Sequence, residues 1–119
     1  MSKGTDLRAS GVQSLPDEHK SVAARGLAMA AGRLAVDDPS GLVDSLDITV
    51  LVGAMVYEVA SRDGIRGGRE ISRAALDAVG EVPDAVTRVE FAVMVAEAAR
   101  TCGYDWSADD NRQLVGVIA

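Results

Sequence analysis

The chain has 119 residues and a formal net charge of −6, which is the usual size of one domain and the wrong sign for a protein that grips nucleic-acid phosphates. One cysteine, Cys102, excludes an intramolecular disulfide and a thiolate zinc cluster, and one histidine, His19, excludes multi-histidine metal sites. The longest apolar run, residues 48–57, is about half the length needed to cross a bilayer. We therefore expect a cytoplasmic, bacterial-type acidic protein with no membrane segment, no cofactor and no direct contact with nucleic acid.

The N-terminal part begins with a polar segment and continues into a first helix. Residues 1–14 lack an apolar period, which predicts a mobile tail, and residues 15–119 are expected to form a single helical domain. The helix starts near Ser14 to Pro16, because Ser14 can cap it, proline suits a first turn and the acids that follow suit the positive end of the helix dipole. It runs to about Val36 and buries a stripe of apolar residues. The stripe comprises Ala23, Leu27, Ala30, Ala31 and Leu34.

A second helix is predicted to follow the DDPSG segment at residues 37–41 and to reach Arg62. Its ITVLV run, residues 48–52, is rich in β-branched side chains and would also suit a buried strand. The apolar pattern continues to Ala60 without a turn signal, so its length favours a helix.

Two more helices and a short last one complete the predicted fold. The third spans residues 68–79, and the fourth opens at Pro83 and Asp84 and closes at Gly103. The fourth is apolar on two faces, so we expect it at the centre of the fold or in a subunit interface. A capping-box variant, SADD at residues 107–110, opens the last helix, which ends in LVGVIA. The sequence thus predicts an all-α, compact bundle of about five helices, with the second and fourth forming the core.

An internal repeat relates two parts of the chain. Placing residues 48–79 over residues 87–118 gives seven identities in 32 positions, a match that can also arise by chance in a chain rich in alanine and valine. In both copies an apolar helix ends at a glycine, Gly64 or Gly103, and six residues later an acid falls in the first turn of the next helix. We therefore expect two tandem helix–turn–helix repeats after the N-terminal helix, with both glycines in the left-handed conformation.

The first glycine corner carries four arginines in an acidic chain, namely Arg62, Arg66, Arg69 and Arg73. A capped turn explains most of this sequence without a ligand, because Arg62 suits the negative end of a helix and can pair with Glu58. However, Arg66 and Arg69 have no basic counterparts in the second copy, and free backbone N–H groups are expected where the third helix starts. The loop is therefore either a structural corner or a site for an acidic segment or a phosphate.

The two acids within the apolar helices, Glu58 and Glu97, each have an arginine nearby, which disfavours a catalytic role. Glu58 and Glu97 are equivalent in the repeat, and paired buried acids can support acid–base chemistry. Arg62 and Arg100 lie within one turn of them, which favours neutralised surface pairs. Cys102 is interpreted as a small buried hydrophobe. Since nothing converges on a nucleophile or a metal, we predict no catalytic residue, no metal ligand and no enzyme activity.

The apolar helix followed by RDGIRGGRE, with Asp63 and Gly64 at the turn and Glu70 six residues on, resembles the repeated helix–turn element of tellurite-resistance TerB-like domains. Those are small helical proteins in which such acids are linked to metal, so the resemblance implies a helical fold and a metal-sensing role. The second copy has Cys102 in place of the aspartate, and the arginines of the first loop do not suit a cation. Metal ligation is therefore not carried over to these residues.

The leading functional hypothesis is a non-catalytic protein–protein interaction module, an adaptor, inhibitor or regulatory subunit that binds another protein or a second copy of itself. Its expected interface comprises Phe91, Met94 and Trp106, because the fourth helix has apolar surface to spare. The alternative is a small-ligand or metal-sensing domain with the basic loop at the mouth of its pocket. An acidic decoy that mimics nucleic acid is a weaker option, since the negative charge is spread evenly along the chain.

Overall fold

The computed structural model describes residues 12–44 and 47–106, apart from the side chains of Asp47 and Thr49. Over these residues the chain is helical, with one isolated β-bridge and no strand. Its elements are α1 (Asp17–Val36), a π-helical segment (Asp47–Gly53), α2 (Ala54–Arg62), α3 (Gly68–Val79) and α4 (Arg88–Thr101). The predicted all-α class is confirmed, and the predicted last helix lies outside the described residues.

The core is centred on α1, which packs against α4 and α2, whereas α2 and α4 make little direct contact. The second and fourth helices both contribute buried residues to the core, as predicted, but α1 lies at its centre, where the prediction did not place it. The predicted stripe of α1 is buried, and the buried arc is widened by further small residues. These are Val22, Ala24, Gly26 and Ala28. Because the arc is broad and its side chains are small, two helices can pack on α1 at once.

The core also includes a residue from the segment predicted as a tail. Val12 is fully buried and belongs to the same apolar cluster as α1 and α4. The packed part of the molecule thus begins before the predicted boundary at Ser14, and residues 1–11 lie outside the described residues.

The second predicted helix begins later than expected. The strand alternative for residues 48–52 is wrong, because they form the π-helical segment, and regular α-helix starts only at Ala54. The stretch ahead of it is held in a loop by the chain that leads into α4: Val43 donates its N–H to the carbonyl of Val86 at 2.9 Å. This long-range pairing removes the residues that would have formed the first turns of the helix.

The fourth helix also begins later than the sequence predicted, at Arg88 instead of Pro83. Thr87 and Glu90 form a capping box: the Thr87 hydroxyl accepts from the Glu90 N–H at 3.2 Å, and the Thr87 N–H donates to the Glu90 carboxylate at 2.9 Å. The Thr87 N–H and the Thr87 hydroxyl both donate to the Glu90 carboxylate, and these two bonds lower the pKa of that carboxyl. The N–H groups of Arg88 and Val89 donate to the carbonyls of Gly41 and Pro39, in the loop that follows α1. The start of α4 therefore has its exposed donors satisfied within the protein.

The two glycine corners share one hydrogen-bonding pattern. Gly64 has φ +68° and Gly103 has φ +102°, both left-handed as predicted. In each corner the next residue, Ile65 or Tyr104, donates its N–H to the carbonyl five residues back at 2.9 Å, and the glycine donates to the carbonyl three residues back. This is the Schellman motif in both places, so the two helix ends are terminated by the same mechanism.

Candidate binding groove between the second and third helices

The four predicted site arginines do not form one cluster. Arg62 is an exposed residue whose guanidinium pairs with the Glu58 carboxylate at 2.8 Å, as the sequence predicted. It lines a hollow with Met29 and Tyr104, on α1 and the second glycine corner. Arg62 is therefore directed away from the arginines of α3 and is already neutralised by its own helix.

Arg69 and Arg73 stand one turn apart on α3 and line the same groove, which has a volume of about 520 Å³. Arg66 lies on the preceding loop and is exposed, but it is not among the residues that line the groove. In the part of the chain that the structure describes, the guanidinium groups of Arg66, Arg69 and Arg73 form no hydrogen bond and no ion pair. Two of the four predicted residues thus remain together as uncompensated positive charges.

The walls of this groove are apolar and partly exposed. Val50 of the π-helical segment is 60% exposed and Tyr57 of α2 is 47% exposed, so two large apolar side chains face solvent in the same groove. Leu76 of α3 lies opposite them. Sequence reasoning missed these three residues because it concentrated on the arginines. The signal was present, since Val50 and Tyr57 are seven residues apart and so share a helix face.

The floor of the groove is formed by close contact between α2 and α3. The Ser72 hydroxyl donates to the Gly53 carbonyl at 2.9 Å, and a Cβ placed on Gly68 would lie 3.1 Å from the Tyr57 ring. Because Gly53 meets Ser72 at one end and Tyr57 meets Gly68 at the other, the two helices run antiparallel. The glycines at this contact let the two helices approach closely. The larger side chains beside the contact, Val50, Tyr57 and Leu76, form the walls of the groove.

The residues predicted as an interface lie mainly in the core. Phe91 is fully buried, and Trp106 is 8% exposed with its indole N–H directed at the Ala96 carbonyl, 3.4 Å away. Met94 is partly buried and packs against the same core. The apolar side chains of α4 therefore pack against α1, and the Phe91 side chain is not accessible to a partner.

The described residues that line the groove include no acid, histidine or cysteine. Over the described residues, no group of three or more histidine, cysteine, aspartate or glutamate side chains is placed to hold a metal ion, and no polar or charged side chain is buried. Asp63, the acid of the RDG motif, forms an ion pair with Arg25 of α1. Burial raises the pKa of the Cys102 thiol to about 11, although the charge of Lys20 opposes this. The thiol is therefore unreactive at neutral pH, which agrees with its interpretation as a buried hydrophobe.

Comparison with protein-family models, curated proteins and solved structures gives no match for this chain. Within the described residues, no helix combines the length and the apolar character that crossing a membrane requires.

Proposed function

We propose that this protein is a non-catalytic protein–protein interaction module, an adaptor, inhibitor or regulatory subunit, and that it binds through the groove between α2 and α3. The observation that carries the proposal is the juxtaposition of two exposed apolar side chains, Val50 and Tyr57, with two uncompensated arginines, Arg69 and Arg73. Tyrosine and arginine are among the residues that most often dominate binding energy at protein interfaces.

The groove has the composition of an interface centre. Burying Tyr57 and Val50 would stabilise a complex through apolar area, at about 25 cal/mol for each Å² removed from water. Arg69 and Arg73 stand on a helix, so their backbone needs no further ordering on binding, and the cost that remains is the rotamer freedom of the two side chains. No charged side chain is buried in the described part of the chain, and the contact of α2 with α3 is made by Gly53, Ser72 and Gly68 without the arginines. Binding by these side chains does not compete with folding.

A finer proposal concerns the fold around the groove. The matching Schellman corners at Gly64 and Gly103 support the proposal of two tandem helix–turn–helix units, and a fifth helix after Trp106 is proposed from the sequence alone. In such an arrangement the first unit contributes the groove, and the second contributes the core partner of α1. Backbone chemical shifts of residues 107–119 test this proposal, with helical values expected and random-coil values contradicting it.

The alternative, a small-ligand sensor, has one observation in its favour. The Gly67 cap of α3 supplies no side chain to the helix start, and Arg69 lies in that first turn. A thermal-shift panel of phosphate, nucleotides and divalent metals separates the two proposals. A ligand at one hundred times its Kd stabilises the protein by about 2.7 kcal/mol, whereas an interaction module responds to none of them.

Affinity capture from the native host, together with size-exclusion chromatography and light scattering, tests the main proposal. We expect the full chain to retain a defined protein partner or to form a defined oligomer. A strict monomer that captures no protein would contradict the proposal.

A further inference from the structure

We infer that the groove receives an acidic amphipathic helix of a partner protein, with the partner's apolar stripe on Val50, Tyr57 and Leu76 and its carboxylates on Arg69 and Arg73. The inference rests on the proposed function and specifies the chemistry of the partner. It is argued from the charge of the groove, from its length and from the spacing of its arginines.

The charge of the groove is opposite to that of the chain. The chain carries a net −6, yet the residues that line the groove include two arginines and no acid. An anionic segment is attracted to this groove and repelled by much of the acidic protein surface around it. This difference favours binding in the groove over nonspecific binding elsewhere on the protein. A second copy of this chain is itself acidic, but it would have to present a suitable acidic helix to the groove.

The length of the groove fits two turns of helix. Val50 and Tyr57 are seven residues apart along one wall, and Arg69 and Leu76 are seven residues apart along the other. At the α-helical rise of 1.5 Å per residue, the α3 wall from Arg69 to Leu76 is about 10 Å long. A groove between two antiparallel helices is a common receptor for a third helix that inserts residues of one face. An extended peptide would have no free sheet edge to pair with in the described residues.

The spacing of the arginines sets the spacing of the partner's acids. Arg69 and Arg73 are four residues apart, which is about 6 Å along the axis of α3. Acids three or four residues apart on the facing helix match this separation. Arginine favours carboxylates because its planar guanidinium can donate two parallel hydrogen bonds. An anionic membrane fits less well, because the acidic surface around so small a basic site would be repelled by it.

Site-specific photo-crosslinking in host extract tests the inference. The photoreactive amino acid p-benzoylphenylalanine replaces Tyr57 in one full-length chain and Val50 in another, so that a fold defect in either leaves the other informative. Mass spectrometry then identifies the segment that is covalently attached. We expect one partner segment with helical spacing of apolar residues and at least two acids three or four residues apart.

Charge variants provide the matched comparison. Arg69→Gln/Arg73→Gln should lower the adduct yield about ten-fold, equivalent to about 1.4 kcal/mol. Arg33→Gln/Arg100→Gln changes the net charge equally on exposed arginines outside the groove and should leave the yield unchanged. The wild-type yield should also fall in 0.5 M NaCl, because these contacts are solvent-screened.

The possible failures are distinguishable. A crosslinked segment that is neutral or basic, or a yield that does not respond to Arg69→Gln/Arg73→Gln, overturns the acidic-helix inference and leaves the interaction module standing. Crosslinking to a second copy of this chain overturns the inference in the same way, in favour of self-association. No protein adduct from either position overturns both the inference and the use of this groove.

Discussion

Gly26 of α1 lies directly against the backbone of Val56 on α2. A Cβ built on Gly26 would be 2.6 Å from the Val56 Cα and 2.8 Å from its Cγ2, both far inside van der Waals contact. Alanine is the better helix former, so glycine weakens α1 as an isolated helix. Its presence is explained by the crossing, where only a hydrogen atom fits between the two helices.

Gly26→Ala should therefore destabilise the protein despite its higher helix propensity. Overpacking against backbone forces α1 and α2 apart, with an expected loss of about 1–3 kcal/mol in the free energy of unfolding. Urea denaturation measures the loss. Ser21→Ala, at an exposed position of the same helix, is the control and should be neutral or slightly stabilising. A Gly26→Ala protein as stable as the wild type would show that the crossing is not as close as described.

The two Schellman corners should respond alike to the loss of glycine. Gly64 and Gly103 both have positive φ, and a Cβ on either would meet nothing within 4 Å. Gly64→Ala and Gly103→Ala should thus each cost about 1–2 kcal/mol through backbone strain alone. Gly64→Asn, which tolerates the left-handed region better, should cost less than alanine. Unfolding measurements that find no cost at either corner would contradict the assigned geometry.

The capping box at the start of α4 should make a measurable contribution to stability. Thr87→Ala removes the hydroxyl that accepts the Glu90 N–H, with an expected loss of about 1 kcal/mol in the free energy of unfolding. Thr87→Ser keeps the hydroxyl and should retain most of the stability. Equal losses for alanine and serine would assign the effect to the threonine methyl group and not to the cap.

The buried thiol of Cys102 should report on local unfolding. It is 4% exposed, and its pKa is raised by burial to about 11. Alkylation by iodoacetamide at pH 8 should be about 100-fold slower than in the urea-unfolded chain, since both access and thiolate formation are suppressed. The raised pKa stabilises the fold below the ordinary thiol pKa, and this contribution should be lost as pH rises from about 9 towards 11. Native alkylation at the unfolded rate would mean that the thiol is accessible.

The elements best predicted from sequence were those with local boundaries. The bounds of α3 agree with the prediction because Gly67 and Gly80, both with positive φ, end it on each side. The starts of α2 and α4 were wrong because they depend on each other across the fold. The bond from the Arg88 N–H to the Gly41 carbonyl joins residues 47 positions apart, and no local pattern encodes it.

The site was predicted only in part for a related reason. Arg69 and Arg73 stand out as arginines in an acidic chain. The sequence could not show that Arg62 lines a different hollow from these two arginines and pairs with Glu58 of its own helix. Phe91 was assigned to an interface because an apolar helix face looks the same whether it meets α1 or a partner. Tyr57 was missed because exposure depends on which faces the other helices leave uncovered.

The most direct test of the central claim, that partners bind in the groove between α2 and α3, is quantitative capture with the groove blocked. Ala54 is exposed at the start of α2 and lines the groove, so Ala54→Gln adds bulk there without adding charge and with only a small loss of helix propensity. The claim predicts that Ala54→Gln reduces captured partner at least about ten-fold, which corresponds to about 1.4 kcal/mol, while Ser21→Gln on α1 leaves it unchanged. Full capture by a folded Ala54→Gln protein would contradict it.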